Sequence, residues 1–200
     1  ASLFNTAIPA AIIFLCFLLK IEKTNKFQIL GLILSVFGIL SIITKLDLNV
    51  LLSLKFNKGD LIMIGGVITW GLYSAFLKNK KFTLPLLTLV QVLCTFGLIF
   101  IFPQFLYEFS QGLRINFNTN LYYTLIYLAL FPSIGSYYCW AGAVAIIGAN
   151  RAGIFLSLIP FFSTIMAITF FNEKFQFFHL IGSILIILGL FLSNKEIKNA

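Results

Sequence analysis

The sequence predicts an all-α polytopic membrane protein, and its composition, its long apolar segments and an internal repeat support that prediction. Of the 200 residues, 60% are hydrophobic and 10% are charged, and the mean hydropathy is +1.02. A soluble domain carries about 25% charged residues. This composition therefore excludes a soluble enzyme, a secreted disulfide scaffold and a disordered chain.

Seven uncharged segments are long enough to cross a hydrocarbon core of about 30 Å as helices. None shows the period-two alternation of a membrane β-barrel, and helices satisfy their own backbone groups in lipid. Short polar connectors separate the segments, and none resembles a linker between soluble domains. The predicted spans are 1–19, 28–44, 61–77, 84–106, 121–147, 152–171 and 178–194.

The basic residues lie between the apolar segments and form no stripe with aromatic residues, so the net charge of +8 does not indicate nucleic-acid binding. The positive-inside rule places the side with more Lys and Arg in the cytoplasm. We therefore expect a protein of the plasma (inner) membrane with a cytoplasmic C-terminus. One side carries nine basic residues, Lys20, Lys23, Lys26, Lys78, Lys80, Lys81, Arg151, Lys195 and Lys198, and the other carries five, Lys45, Lys55, Lys58, Arg114 and Lys174.

Residues 1–44 align without a gap to residues 152–195, an internal repeat with an offset of 151 positions. The two copies start five spans apart, an odd number, so they cross the membrane in opposite directions. Inverted repeats are the architecture of many secondary transporters; a duplication without alternating access is the alternative. The informative matches pair Pro9 with Pro160, Glu22-Lys23 with Glu173-Lys174, Gly31 with Gly182, and Gly38 with Gly189.

The repeat also predicts the domain organisation. Residues 59–195 form a complete five-helix unit, and residues 1–45 form the last two helices of a first unit. Because a complete unit has five helices and the first unit retains two, we expect three further spans upstream, so that seven of ten helices are present. Residues 196–200 form a cytoplasmic tail.

Several motifs follow one another along the chain: Gly59-Asp60-Leu61, Trp70-Gly71-Leu72-Tyr73, Tyr137 with Trp140 and Ala143, Gly148-Ala149-Asn150-Arg151-Ala152-Gly153, Pro160 with Glu173, and Pro9 with Glu22. Their order and spacing resemble the EamA-like members of the drug/metabolite transporter superfamily, over essentially the whole chain. The resemblance implies two inverted five-helix repeats and proton-coupled or facilitative movement of small metabolites, often outward. The sequence departs from the family pattern at Ile21 and Asn172, where a small residue usually precedes the Glu.

No Asp, Glu, Lys, Arg or His lies in the middle of any predicted span. Proton relays and ion sites inside a membrane depend on such residues. The active site of a membrane enzyme would also need them. His179, at the edge of the last span, has no acidic neighbour, and Cys16, Cys94 and Cys139 have no metal-binding spacing. We therefore predict no catalytic residue, no metal and no cofactor.

Neutral polar and aromatic side chains are the candidate substrate-binding residues. Trp70 and Tyr73, and likewise Tyr137 and Trp140, are three residues apart and share a helix face. Each pair combines a ring wall with a hydrogen-bonding tip, as a cavity for an amphipathic solute would need. Helix packing or an interfacial aromatic belt is the alternative interpretation.

Pro9 and Pro160 lie within spans, where the ring removes a backbone hydrogen bond and kinks the helix. Asn5 and Ser157 lie about one turn earlier, so each copy can form a polar spot at membrane depth. We predict that both spots contribute to substrate binding. A packing kink, with the serine bonded to its own helix, is the alternative.

The glycine pairs Gly31/Gly38 and Gly182/Gly189 predict close helix packing, either inside the bundle or in a homodimer. Glu22 and Glu173 lie at helix ends, where a solvated charge is the default interpretation and a latch between loop and helix is the alternative.

Together these patterns favour a permease that moves small metabolites such as amino acids, with export as the expected direction. Its expected partners are the small-molecule metabolite and the lipid bilayer. A seven-helix receptor is the alternative, suggested by the number of spans alone. Residues 178–194 contain no Lys for a retinal linkage, and a receptor gives no reason for an inverted repeat.

Overall fold

The computed structural model describes residues 6–47, 49, 58–79, 84–112, 117–171 and 174–195. Within these ranges every regular element is a helix. The helices are α1 (Ile8–Leu18), α2 (Lys26–Thr44), α3 (Lys58–Lys78), α4 (Leu86–Ser110), α5 (Thr119–Leu128), a π-helical segment (Ala129–Gly135), α6 (Ser136–Ile147), α7 (Ala149–Phe155), α8 (Leu158–Phe171) and α9 (Phe177–Ser193).

These helices coincide with the seven predicted spans. In the described part of the chain, α2, α3, α4 and the stretches Thr119–Ile147 and Ala149–Phe171 are long and apolar enough to cross a membrane, while α1 and α9 are shorter apolar helices. Large apolar side chains such as Phe100 (78% exposed) and Ile62 (77% exposed) lie on the surface, where lipid would cover them. The prediction of an all-α membrane protein is confirmed.

The chain forms two compact units, one from Ala1–Asn79 with Val144–Ala200 and the other from Lys80–Ala143. In the first unit, α2 packs along α9, and α1 packs against α3 and α7. Its core lies where α2 and α9 meet the neighbouring helices, with Ile39, Ile154 and Ile186 almost completely buried.

Glycines bring α2 and α9 into backbone contact. A Cβ at Gly38 would lie 2.6 Å from the carbonyl oxygen of Gly182, and a Cβ at Gly31 would collide with the carbonyl oxygen of Gly189. Because the lower-numbered glycine of one helix meets the higher-numbered glycine of the other, the two helices run antiparallel. The glycine faces therefore pack inside the bundle, which decides between the two interpretations of these residues.

The N-termini of α2 and α9 have the same cap. At α2, the Gln28 side-chain oxygen accepts a hydrogen bond from the Asn25 backbone N–H at 3.0 Å. At α9, Nδ1 of His179 accepts from the Gln176 backbone N–H at 3.1 Å. Asn25 and Gln28 occupy the repeat positions of Gln176 and His179, so the two copies share local structure as well as sequence. The inverted arrangement of complete five-helix units stays a prediction.

The span Ala149–Phe171 is broken rather than bent. α7 ends at Phe155, α8 begins at Leu158, and residues 156–157 form a turn between them. Pro160 has no N–H to donate to the Leu156 carbonyl, and its ring crowds that oxygen. The Leu156 carbonyl instead accepts from the Ile159 N–H at 3.1 Å. Pro160 thus lies in the first turn of α8, and Pro9 likewise lies in the first turn of α1.

The second unit contains α4, α5, the π-helical segment and most of α6. Pro132 lies inside the π-helical segment, where the Ser136 hydroxyl donates a hydrogen bond to the Phe131 carbonyl at 3.1 Å. The proline explains the change of helix type, because it cannot donate the regular backbone hydrogen bond.

Candidate functional site

A cavity of about 460 Å³ lies in the first unit, bordered by α1, the C-terminal end of α2, the break between α7 and α8, and the first turn of α9. Thr6, Pro9, Ser157 and Pro160 all line it. Thr6 and Ser157 occupy the same repeat position, as do the two prolines. The structure thus brings the matching segments of both copies to one cavity.

The polar groups of this cavity are mostly uncharged, and its remaining wall is aliphatic apart from Phe178. Ser157 is 1% exposed, and its hydroxyl has no hydrogen-bond partner among the described residues. The Thr164 hydroxyl donates to the Pro160 carbonyl at 2.9 Å. A buried hydroxyl without a partner is costly, and this one belongs to a residue that lines the cavity.

The other sequence-predicted site residues lie in different places. Trp70 and Tyr73 are half-buried on α3, with ring centroids 5.5 Å apart, and neither belongs to the described lining of the cavity. Tyr137 and Trp140 are half-buried on α6, in the second unit. Asn5 lies outside the described residues, and its neighbour Thr6 lines the cavity.

Lys45 and His179 also line the cavity, although the sequence analysis gave neither a binding role. Lys45 follows the last residue of α2 and supplies a positive charge at that end of the cavity. His179 is buried beside the ring of Phe178, at a centroid distance of 4.1 Å. The internal repeat could have indicated a role for His179, because His179 occupies the position at which the first copy has the capping residue Gln28.

A second feature joins the loop after α1 to the start of α7. The Glu22 carboxylate accepts hydrogen bonds from the backbone N–H groups of Ala149 and Asn150, both at 2.9 Å. Gly148 allows this approach with a φ of +88°, and a Cβ there would lie 2.6 Å from the carboxylate. Glu22 therefore is a latch between loop and helix, and the default interpretation as a solvated charge is wrong. Glu173 lies outside the described residues.

The described residues contain no cluster of three or more His, Cys, Asp and Glu side chains that could hold a metal ion. The polar groups of the cavity are hydroxyls, an ammonium group and an imidazole. These groups can donate and accept hydrogen bonds, and the ammonium group can attract an anion.

Apolar helices around a cavity that is lined by repeat-related segments are features of many secondary transporters. Residues 57–195 match the model of the EamA-like transporter family. The match covers more than half of the chain, which therefore belongs to this family. Family membership also argues against the receptor alternative.

Curated relatives are themselves named as transporters. The chain is similar to the uncharacterized transporter YyaM of Bacillus subtilis (strain 168), at 27% identity over 96% of this chain and 61% of the relative. It is also similar to an uncharacterized transporter of Archaeoglobus fulgidus, at 29% identity over 87% of this chain and 60% of the relative. The chain thus spans about three-fifths of the length of these relatives. No solved structure matches it.

Proposed function

We propose that this chain is part of a permease that moves small metabolites, such as amino acids, through the cavity between the two repeat copies. The observation that carries the proposal is the lining of that cavity by Thr6, Pro9, Ser157 and Pro160. A volume of about 460 Å³ lies within the usual range of small-molecule sites. In the proposed arrangement, the chain supplies seven of ten helices.

The lining favours an amphipathic solute. The mostly aliphatic wall suits an apolar side chain, and the Ser157 hydroxyl, which is closed off here, binds a polar group of the solute when the two copies rock apart. Lys45 adds a positive charge at one end of the cavity, which supports a solute with a carboxylate, such as an amino acid. Trp70, Tyr73, Tyr137 and Trp140 stay candidates for further contacts with the solute.

Alternating access is the proposed mechanism. The antiparallel packing of α2 on α9 and the helix break before Pro160 both support two halves that rock about a central site. The excess of basic residues on the C-terminal side supports a cytoplasmic C-terminus in the plasma membrane. Export is the proposed direction of transport, because the resemblance to EamA-like transporters implies outward movement.

Uptake of tritiated metabolites into proteoliposomes that contain the intact protein tests this proposal. We expect saturable movement of at least one amino acid or related compound from a broad panel. Absence of movement for the whole panel, with correctly folded protein in the vesicles, would refute it.

Replacing Ser157 with Ala should weaken the apparent affinity for the solute without lowering the stability of the protein. The hydroxyl has no partner among the described residues, so its removal should leave the free energy of unfolding unchanged or raise it by about 1 kcal/mol. Loss of one hydrogen bond to the solute should weaken apparent affinity about 3- to 10-fold. Concentration-dependent uptake and denaturant unfolding in detergent measure the two effects.

Ser35→Ala is the matched control for this variant. Ser35 is 0% exposed, and its hydroxyl also has no partner among the described residues. It lies on α2 opposite Gly189, away from the cavity. We expect Ser35→Ala to leave apparent affinity unchanged; equal losses in both variants would contradict a binding role for Ser157.

A further inference from the structure

A separate groove lies between α1 and α2 in the first unit, with a volume of about 940 Å³. Phe14, Phe17 and Ile29 form part of its apolar wall, and Lys20 and Lys23 lie at its rim. We call this feature the lysine groove. Phe14 and Phe17 are exposed, so the groove is open in the part of the protein that this chain supplies.

The charge of the lysine groove is positive. Lys20 and Lys23 form no ion pair among the described residues. Glu22 also lines the groove, but its carboxylate accepts from the Ala149 and Asn150 amides. Two cations thus border an apolar wall.

Lys20 holds an unusual backbone conformation at this rim. Its φ is +54°, in the left-handed region that favours glycine at the end of a helix. The Lys20 N–H donates to the Phe17 carbonyl at 3.1 Å, and the Ile21 N–H donates to the Cys16 carbonyl at 2.9 Å. These bonds fix the backbone from which the ammonium group extends, and glycine would fit the same turn without the charge.

We propose that the lysine groove binds an anionic phospholipid of the cytoplasmic leaflet. Lys20 and Lys23 bind the phosphate. The acyl chains lie along Phe14, Phe17 and Ile29. Basic pockets between membrane helices bind anionic headgroups in this way, and the predicted cytoplasmic position of this loop places the groove in the leaflet where those lipids concentrate.

Native mass spectrometry of the intact protein in detergent, titrated with phosphatidylglycerol or phosphatidylcholine, tests the proposal. We expect phosphatidylglycerol to bind at least fivefold more tightly. Each of the variants Lys20→Gly and Lys23→Gln should weaken phosphatidylglycerol binding about fivefold. Lys78→Gln, at the exposed end of α3, is the control and should leave binding unchanged. Equal binding of the two lipids, or equal losses in all three variants, would overturn the proposal.

Lys20→Gly also separates lipid binding from folding. Glycine relieves the left-handed backbone, so the thermal stability of this variant in lipid-free detergent should be unchanged or higher. Weaker lipid binding at retained stability supports the proposal. A fall in stability that parallels the loss of lipid would instead assign Lys20 a structural role and overturn it.

Glycerol 1-phosphate provides a further test, because it carries the phosphate without acyl chains. We expect a large excess of this compound to leave phosphatidylglycerol bound. Displacement at equal concentration would indicate a plain phosphate site and overturn the lipid assignment. Cross-linking from Phe17→Cys to another protein segment or to a second copy, with no bound lipid, would also overturn it. None of these measurements depends on transport.

Discussion

We expect Gly38→Ala to lower the free energy of unfolding by about 2–3 kcal/mol, since overpacking a tight contact has costs of this size. The added Cβ would lie 2.6 Å from the Gly182 carbonyl oxygen and 2.9 Å from Cγ1 of Ile186. The Gly182 oxygen belongs to the backbone of α9 and cannot rotate away. The two helices must therefore move apart along their contact. Denaturant titration of the purified protein in detergent measures the change.

Gly66→Ala is the matched control, because Gly66 lies within α3 and a Cβ there would meet nothing within 4 Å. Alanine is a better helix former than glycine by about 1 kcal/mol. We expect this variant to keep its stability or to gain up to that amount. Equal destabilisation by both substitutions would mean that the contact between α2 and α9 is not the close one described.

Glu22→Ala should lower the free energy of unfolding by about 3 kcal/mol. The substitution removes two hydrogen bonds to a carboxylate, each at 2.9 Å, and leaves the Ala149 and Asn150 N–H groups without that acceptor. Hydrogen bonds to charged groups contribute about 1.5–3 kcal/mol each, and they are not fully additive. Amide hydrogen exchange should also become faster in the first turn of α7. This measurement would locate the loss of stability at the helix end that Glu22 contacts.

Two further variants calibrate the Glu22 result. Glu22→Gln keeps one side-chain oxygen as an acceptor, so its loss of stability should be about half as large. Glu108→Ala removes an exposed carboxylate of α4 that accepts from the Gln104 amide at 3.1 Å, and its effect should stay within about 0.5 kcal/mol. If Glu22→Ala were as mild as Glu108→Ala, the latch would have no structural importance.

The membrane spans could be predicted from the sequence because their length and apolar composition are local properties. The predicted 61–77 became α3, Lys58–Lys78, which extends to a Lys at each end. A Lys side chain can extend from a helix to the membrane surface. A Lys therefore marks the end of the apolar run and not the end of the helix. Pro160 similarly indicated a disturbed helix. The exact position of the turn, at residues 156–157, could not be predicted because it depends on which backbone hydrogen bonds form.

Contacts between distant segments could be predicted only in part. Gly31 and Gly38 indicated close packing, but the identity of the partner helix depends on the three-dimensional arrangement. The Glu22 latch joins residues 127 and 128 positions apart in the chain, and no local pattern specifies such a pairing. Trp70 and Tyr73 stay predicted cavity residues, because aromatic side chains serve both binding and packing and spacing alone does not separate these roles.

The repeat predicted more of the candidate site than any single motif. It placed Pro9 and Pro160 at equivalent positions, and both line one cavity. It could not indicate Lys45, because the match to the second copy ends at Thr44 and the cavity extends one residue further.

Labelling of single cysteines from the two sides of the membrane tests the inverted arrangement most directly. In protein whose Cys16, Cys94 and Cys139 are replaced by Ala, Lys23→Cys and Lys174→Cys occupy matching repeat positions. The account predicts that a membrane-impermeant maleimide reaches Lys23→Cys only from the cytoplasmic side and Lys174→Cys only from the opposite side. Reaction of both cysteines from the same side would contradict it.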